Sequence, residues 1–121
     1  MPHTILVVDD SATMRQQTKT LLQKLGYTVV EAANGAEGLD RAKSAQVDMM
    51  IVDVNMPVMG GIEMITKVRQ LANYHNTPIF VLTTESSGET VKQGKAAGAT
   101  AWVVKPFKPE VLTAAVKQVL R

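Results

Sequence analysis

Apolar residues gather in five short runs along the chain, at 5–8, 28–30, 49–52, 79–82 and 101–104, each the length of a strand and rich in Val, Ile and Met. Between the runs the apolar spacing changes to that of a helix. Met14, Leu21, Leu22 and Leu25 can share one stripe, as can Leu112, Ala115, Val116, Val119 and Leu120 further on. Gly26 and Gly98 suit helix ends that need a left-handed residue, and Pro109 followed by Glu110 suits a first helical turn. The pattern is strand then helix, five times over.

Such alternation predicts an α/β fold: a five-stranded parallel sheet with five helices on its two faces and right-handed crossovers. Strands buried on both faces must be apolar throughout. The runs at 5–8, 49–52 and 79–82 meet that test, which places strands 1, 3 and 4 in the centre. The run at 28–30 is shorter and leads into Glu31, so it and the fifth run belong at the edges, in the doubly wound order 2-1-3-4-5. Gly88 and Gly94 fall in the fourth helical segment. Each costs about 1 kcal/mol relative to alanine, so that helix is expected to be the loosest.

Composition removes several classes of function. A chain of 121 residues fits one domain, 1–121. The absence of cysteine excludes disulfides, thiolate metal sites and a cysteine nucleophile. No apolar stretch approaches the roughly 20 residues of a membrane-spanning helix, so a cytoplasmic protein without membrane insertion is expected. Basic residues are scattered among acids and the net charge is only +2, which argues against nucleic acid. Lys92, Lys95, Lys108, Lys117 and Arg121 read as solvated charges on the last third of the chain. At 4%, aromatic residues are too few for base stacking or a flavin sandwich. Met14, Met49, Met50, Met56, Met59 and Met64 read as core and loop packing.

In a parallel sheet all strands end on one rim, so residues that follow the apolar runs become neighbours. Here they are Asp9, Asp10, Asp53, Thr83, Thr84 and Lys105. Carboxylates converging there repel, by about 4 kcal/mol for a pair about 4 Å apart at an effective dielectric near 20. Something positive must offset them: Lys105, or a hard divalent cation such as magnesium, which prefers oxygen-only clusters. The plainer alternative makes Asp9 and Asp10 caps of the first helix and Asp53 a solvated loop acid. No glycine-rich loop follows the first strand, so neither a dinucleotide fingerprint nor a nucleotide-phosphate cradle is present. His3 and His75 precede strands 1 and 4, at the opposite rim, which counts against a Ser-His-acid mechanism.

The segments Val7-Val-Asp-Asp-Ser11 and Asp53-Val-Asn-Met-Pro57, with Gly61, Thr83 and Lys105-Pro-Phe107, resemble the receiver domain of bacterial two-component response regulators. The likeness spans the whole chain in order. It is strongest to the single-domain chemotaxis members, through Ser11-Ala-Thr-Met-Arg15 and Thr83-Thr-Glu85. The resemblance implies a flavodoxin-like fold in which Asp53 accepts a phosphoryl group from a histidine kinase. It further implies that Asp9, Asp10, Asp53 and the backbone carbonyl of Asn55 hold magnesium, that Lys105 pairs with a phosphoryl oxygen, and that the Thr83 hydroxyl turns toward the phosphate. Trp102 would be the coupled switch aromatic, and the Lys105–Pro106 peptide would be cis. Three positions depart from the family pattern: Trp102 stands for the usual tyrosine or phenylalanine, Thr84 for a small residue, and Gly60 for the acid of the chemotaxis members.

The function implied is a stand-alone phosphorylation switch rather than an enzyme acting on other molecules. Its downstream protein target would bind the face formed by the fourth helix, fifth strand and fifth helix. The resting chain would be a monomer, with dimerisation on activation left open. The alternative from another class is a magnesium-dependent phosphatase using an aspartyl-phosphate intermediate, for which no substrate-covering segment is evident. A flavodoxin-like electron carrier is favoured only by strand order, since this chain lacks the phosphate loop and has few of the aromatics that such a carrier needs.

Overall fold

The computed structural model describes residues 3–84, 87–105 and 108–120. In chain order it contains β1 (Thr4–Val8), α1 (Ala12–Lys24), β2 (Thr28–Ala32), α2 (Gly35–Ser44), β3 (Met49–Val52) and α3 (Gly61–Arg69). A 3₁₀ turn (Ala72–Tyr74), β4 (Ile79–Thr83), α4 (Gly88–Ala97), β5 (Ala101–Val104) and α5 (Pro109–Val119) complete it. The sheet is parallel in the order β2-β1-β3-β4-β5, as the apolar pattern predicts.

Period-two alternation along the central strands splits the core into two halves. Leu6, Val8, Met50, Val52, Ile79 and Val81 pack with Ala42 of α2 and with Met64, Ile65 and Val68 of α3. Ile5, Val7, Met49, Ile51, Phe80 and Leu82 pack with Leu22 of α1 and with Leu112 and Val116 of α5. Each such side chain contributes about 1.5–3 kcal/mol of burial, so neither face of β1, β3 or β4 tolerates a polar residue without a partner.

Helix ends fall where local chemistry sets them. Ser11, Asn34 and Ser87 cap α1, α2 and α4 by accepting from Met14, Glu37 and Thr90 amides. Gly26 follows α1 at φ +91° and Gly98 ends α4 at φ +116°. Three strands run longer than the apolar runs alone indicate: β1 begins at Thr4, β2 continues through Glu31 to Ala32, and β4 through Thr83. Glu31 is tolerated in β2 because Arg15 and Lys19, one turn apart on α1, reach it at 3.2 and 2.9 Å. The Lys19 hydrogen bond, with the charges of Lys19 and Arg15, outweighs burial and holds the Glu31 carboxyl below its ordinary range.

The 3₁₀ turn has no periodic signal and is held by tertiary contacts. Tyr74 is fully buried, its hydroxyl 2.6 Å from the Ala42 carbonyl and 2.8 Å from that of Ala45, sharing one proton between them. Arg69 donates to the Tyr74 carbonyl at 2.7 Å and, through Nε and Nη2, to Gly98 at 3.1 and 2.7 Å. It thereby satisfies the C-terminal end of α4 from the end of α3. Burial pushes the Arg69 guanidinium pKa down from its usual value.

One backbone conformation in the β3–α3 loop is costly. Val58 has φ +68° and is 85% exposed, while the Met59 amide donates to the Pro57 carbonyl at 2.7 Å across it. This three-residue turn places a β-branched residue in the positive-φ region, which is sterically disfavoured for it. Val58→Gly is expected to stabilise the fold by about 1 kcal/mol, strain relief of about 1–3 kcal/mol exceeding the added unfolded-state entropy. A urea midpoint no higher than wild type would remove the strain argument.

Candidate functional site: a carboxylate–lysine cluster at the C-terminal rim

The rim residues are brought together by the sheet ladder itself. The Asp53 amide donates to the Val8 carbonyl at 2.9 Å and the Asp9 amide to the Ala32 carbonyl at 3.1 Å, so pairing continues one residue past each strand. Ligand atoms of Asp9, Asp10 and Asp53 all lie within 4.8 Å of one another. Lys105, 52 residues beyond Asp53, donates to Asp9 Oδ2 at 2.9 Å and to Asp53 Oδ2 at 3.4 Å. Its main chain is placed by a 2.7 Å bond from its own amide to the Thr83 carbonyl.

The other carboxylate oxygens are occupied by amides. Asp9 Oδ1 accepts from Ser11 at 2.9 Å, and Asp53 Oδ1 from Val54 at 2.7 Å. Asp9 does not cap α1, a task that falls to Ser11. Asp9 is buried, Asp53 partly so and Asp10 exposed, which gives the cluster one open side. Thr83 is fully buried at the end of β4, whereas Thr84 is exposed. Asn55 is exposed, two residues beyond Asp53. Pro106, and with it the Lys105–Pro106 peptide, lies outside the described residues, as do Glu85 and Phe107.

Glycines allow the close approaches that the rim requires. A Cβ on Gly61 would run into the Asp53 carbonyl oxygen and lie 2.9 Å from the Asp53 carbonyl carbon. The start of α3 can therefore sit directly on the Asp53 backbone. A Cβ on Gly35 would meet the Met59 and Gly60 carbonyls, where the Gly35 amide already bonds to Met59 at 2.9 Å. A groove of about 860 Å³ runs between α1 and α5 beside the cluster, from Lys105 and Thr84 past Met14 and Leu21 to Lys24.

Trp102, opposite Val81 in the β4–β5 register, packs against the half of the core that α3 and α4 cover. Its six-membered ring lies on Gly94 of α4, where a Cβ would collide with Cζ3. Gly94 is thus a packing glycine. The larger aromatic on β5 is matched by the missing side chain on α4, a pairing that changes the expectation of looseness drawn from Gly94. A Cβ on Gly88, at the start of α4, would meet nothing within 4 Å among the described residues.

Two residues of the rim were not assigned a role from the sequence. Arg15 donates from Nη1 to the Asp9 carbonyl at 2.7 Å, and Glu31 orients Arg15. The available signal was the lone acid in the second strand, which requires a cation on the helix packed against it.

This all-oxygen cluster on a doubly wound sheet agrees with comparison to known proteins. The family model for the response regulator receiver domain matches residues 5–117. The chain belongs to the receiver domain family of response regulators, the switch proteins of two-component signalling. Within the family its likeness is to the CheY type. It is 42% identical over 118 residues to the chemotaxis protein CheY homologue of Campylobacter jejuni subsp. jejuni, covering 96% of this chain and 91% of that protein. The structure of chemotaxis protein CheY4 of Vibrio cholerae superposes with a TM-score of 0.93 at 48% identity, covering 98% and 99% of the two chains. The receiver domain of a Pseudomonas aeruginosa sensor histidine kinase, solved with magnesium coordinated in its active-site cleft, gives 0.91 at 25% identity over 99% and 98%.

Proposed function

We propose that this chain is a chemotaxis-type phosphorylation switch in which Asp53 takes a phosphoryl group from the phosphohistidine of a histidine kinase. The observation that carries the reading is the position of Lys105 between the Asp9 and Asp53 carboxylates, with Asp10 completing the cluster. A carboxylate oxygen of Asp53 attacks phosphorus; the P–O bond forms as the P–N bond breaks, and the electron pair leaves with the imidazole nitrogen, which takes a proton from solvent. Lys105 can follow the charge onto a phosphoryl oxygen because its ammonium already touches Asp53.

Hard oxygen donors without histidine or thiolate fit magnesium. Asp9, Asp10, Asp53 and the Asn55 carbonyl would hold it, and when bound it neutralises charge on the phosphoryl oxygens. The modification replaces a singly charged carboxylate with a group near −2 that bears three acceptors. Thr83 and Trp102 are the residues proposed to pass that change to the face of α4, β5 and α5. The parity of β4 and β5 supports the assignment, because Thr83, Val81 and Trp102 lie on one side of the sheet. That face also carries Val104 and Val111, two of the three exposed large hydrophobics among the described residues, which suits it to bind a protein target.

Incubation with magnesium and acetyl phosphate is expected to add the mass of one phosphoryl group, mapping by peptide analysis to Asp53. No adduct would overturn the switch. Sustained multiple turnover of an added phosphomonoester would replace it with the phosphatase reading.

A further inference from the structure

Resting on that magnesium-dependent reading, we infer that Arg15 is a positioning residue for the cation-holding carboxylates, acting through the main chain of Asp9. Three groups of Asp9 are tied down without it: the amide to Ala32, one carboxylate oxygen to Ser11 and the other to Lys105. The carbonyl remains, and it is this oxygen that accepts from Arg15 Nη1 at 2.7 Å. That oxygen belongs to the planar peptide joining Asp9 to Asp10, so fixing it fixes the direction in which Asp10 leaves the turn. Asp10 is the exposed member of the cluster and the one whose aim depends most on its backbone.

The guanidinium is itself held. Arg15 Nε donates to Glu31 Oε1 at 3.2 Å, while Lys19 occupies Glu31 Oε2 at 2.9 Å. Both Arg15 and Glu31 are largely covered, at 21% and 31% side-chain exposure, which keeps this bridge ordered. A planar fork can serve a carbonyl and a carboxylate at once. A lysine, with all its donors on one nitrogen, cannot reproduce bonds that Arg15 makes from two separate nitrogens, Nε and Nη1.

Charge and position predict opposite signs for one substitution. If Arg15 acted only as a nearby positive charge, Arg15→Gln would tighten magnesium binding and Arg15→Lys would leave it unchanged. A positioning role predicts that Arg15→Gln weakens magnesium by about ten-fold, with Arg15→Lys falling between it and wild type.

The test is calorimetric titration of magnesium chloride into the metal-free proteins, alongside their thermal midpoints. Weaker binding by both variants, in that order and with midpoints near wild type, supports the inference. Equal or tighter binding by Arg15→Gln overturns it while leaving the magnesium reading standing. Should Arg15→Gln fail to fold, Arg15→Lys decides alone: unchanged affinity overturns the inference, weakened affinity supports it. A wild-type protein that binds no magnesium removes the reading and the inference together.

Discussion

Asp53→Asn is expected to take up no phosphoryl group from acetyl phosphate and, in metal-free buffer, to be more stable than the wild type. The amide oxygen of asparagine is a poor nucleophile and carries no charge to be offset, so the loss of adduct should be complete. The gain in stability follows from competing charges. Carboxylates no more than 4.8 Å apart repel by at least about 3.5 kcal/mol at an effective dielectric of 20, and Asp53 faces two of them. Attraction to Lys105 at 3.4 Å returns about 5 kcal/mol on the same scale. Asp10 is solvent-exposed, so screening reduces its share and leaves a net gain of about 1 kcal/mol on neutralising Asp53. Lys105 keeps its shorter bond to Asp9 in the variant, so it is not stranded.

Magnesium should reverse this order. A bound cation stabilises the folded wild type by mass action, and the variant, with one charge fewer among its donors, gains less. Melting curves with and without magnesium chloride, set beside peptide mass analysis, check both halves. A variant less stable than wild type in metal-free buffer would mean that Lys105 already outweighs the repulsion, and that the cluster has no electrostatic need for a cation.

The strands, their order and the rim acids were legible because each rests on a local rule. Apolar runs mark strands buried on both faces, strict alternation with helices forces a parallel sheet, and a parallel sheet puts Asp9, Asp53 and Lys105 on one edge whatever the loops do. What stayed hidden depends on pairs of residues that no periodicity connects. Tyr74 in its 3₁₀ turn answers to carbonyls at Ala42 and Ala45, and Arg69 to Gly98. Gly26 and Gly98 were legible as helix ends, and both have positive φ, whereas Gly94 was legible only as a cost to its helix and not as the seat of the Trp102 ring. A glycine inside a helix has two explanations, and only the partner across the interface distinguishes them. The positive φ of Val58 had no signal at all, since propensity places glycine or asparagine there.

Gly94→Ala is the second large effect expected, and its sign should depend on residue 102. In the wild-type background the new methyl collides with Trp102 Cζ3 and sits 3.0 Å from Cε3, so either the indole leaves its seat or α4 moves off β5. Overpacking of this kind costs about 1–3 kcal/mol, more than the roughly 1 kcal/mol that alanine gains over glycine as a helix former. Emission of Trp102, the only tryptophan, should shift to the red as the ring becomes wetter. In a Trp102→Phe background the six-membered ring of the indole is gone from Gly94, so the helix-propensity term stands alone and Gly94→Ala should stabilise. The cycle then gives a coupling of about 2 kcal/mol between α4 and β5. Equal costs in the two backgrounds would leave Gly94 and Trp102 as neighbours without energetic linkage. A measured coupling of the expected size would make the seat of the indole on α4 an energetic link between α4 and β5 on which the proposed Thr83 movement can act. The partner-facing surface would then respond to Asp53 through the glycine that admits the tryptophan.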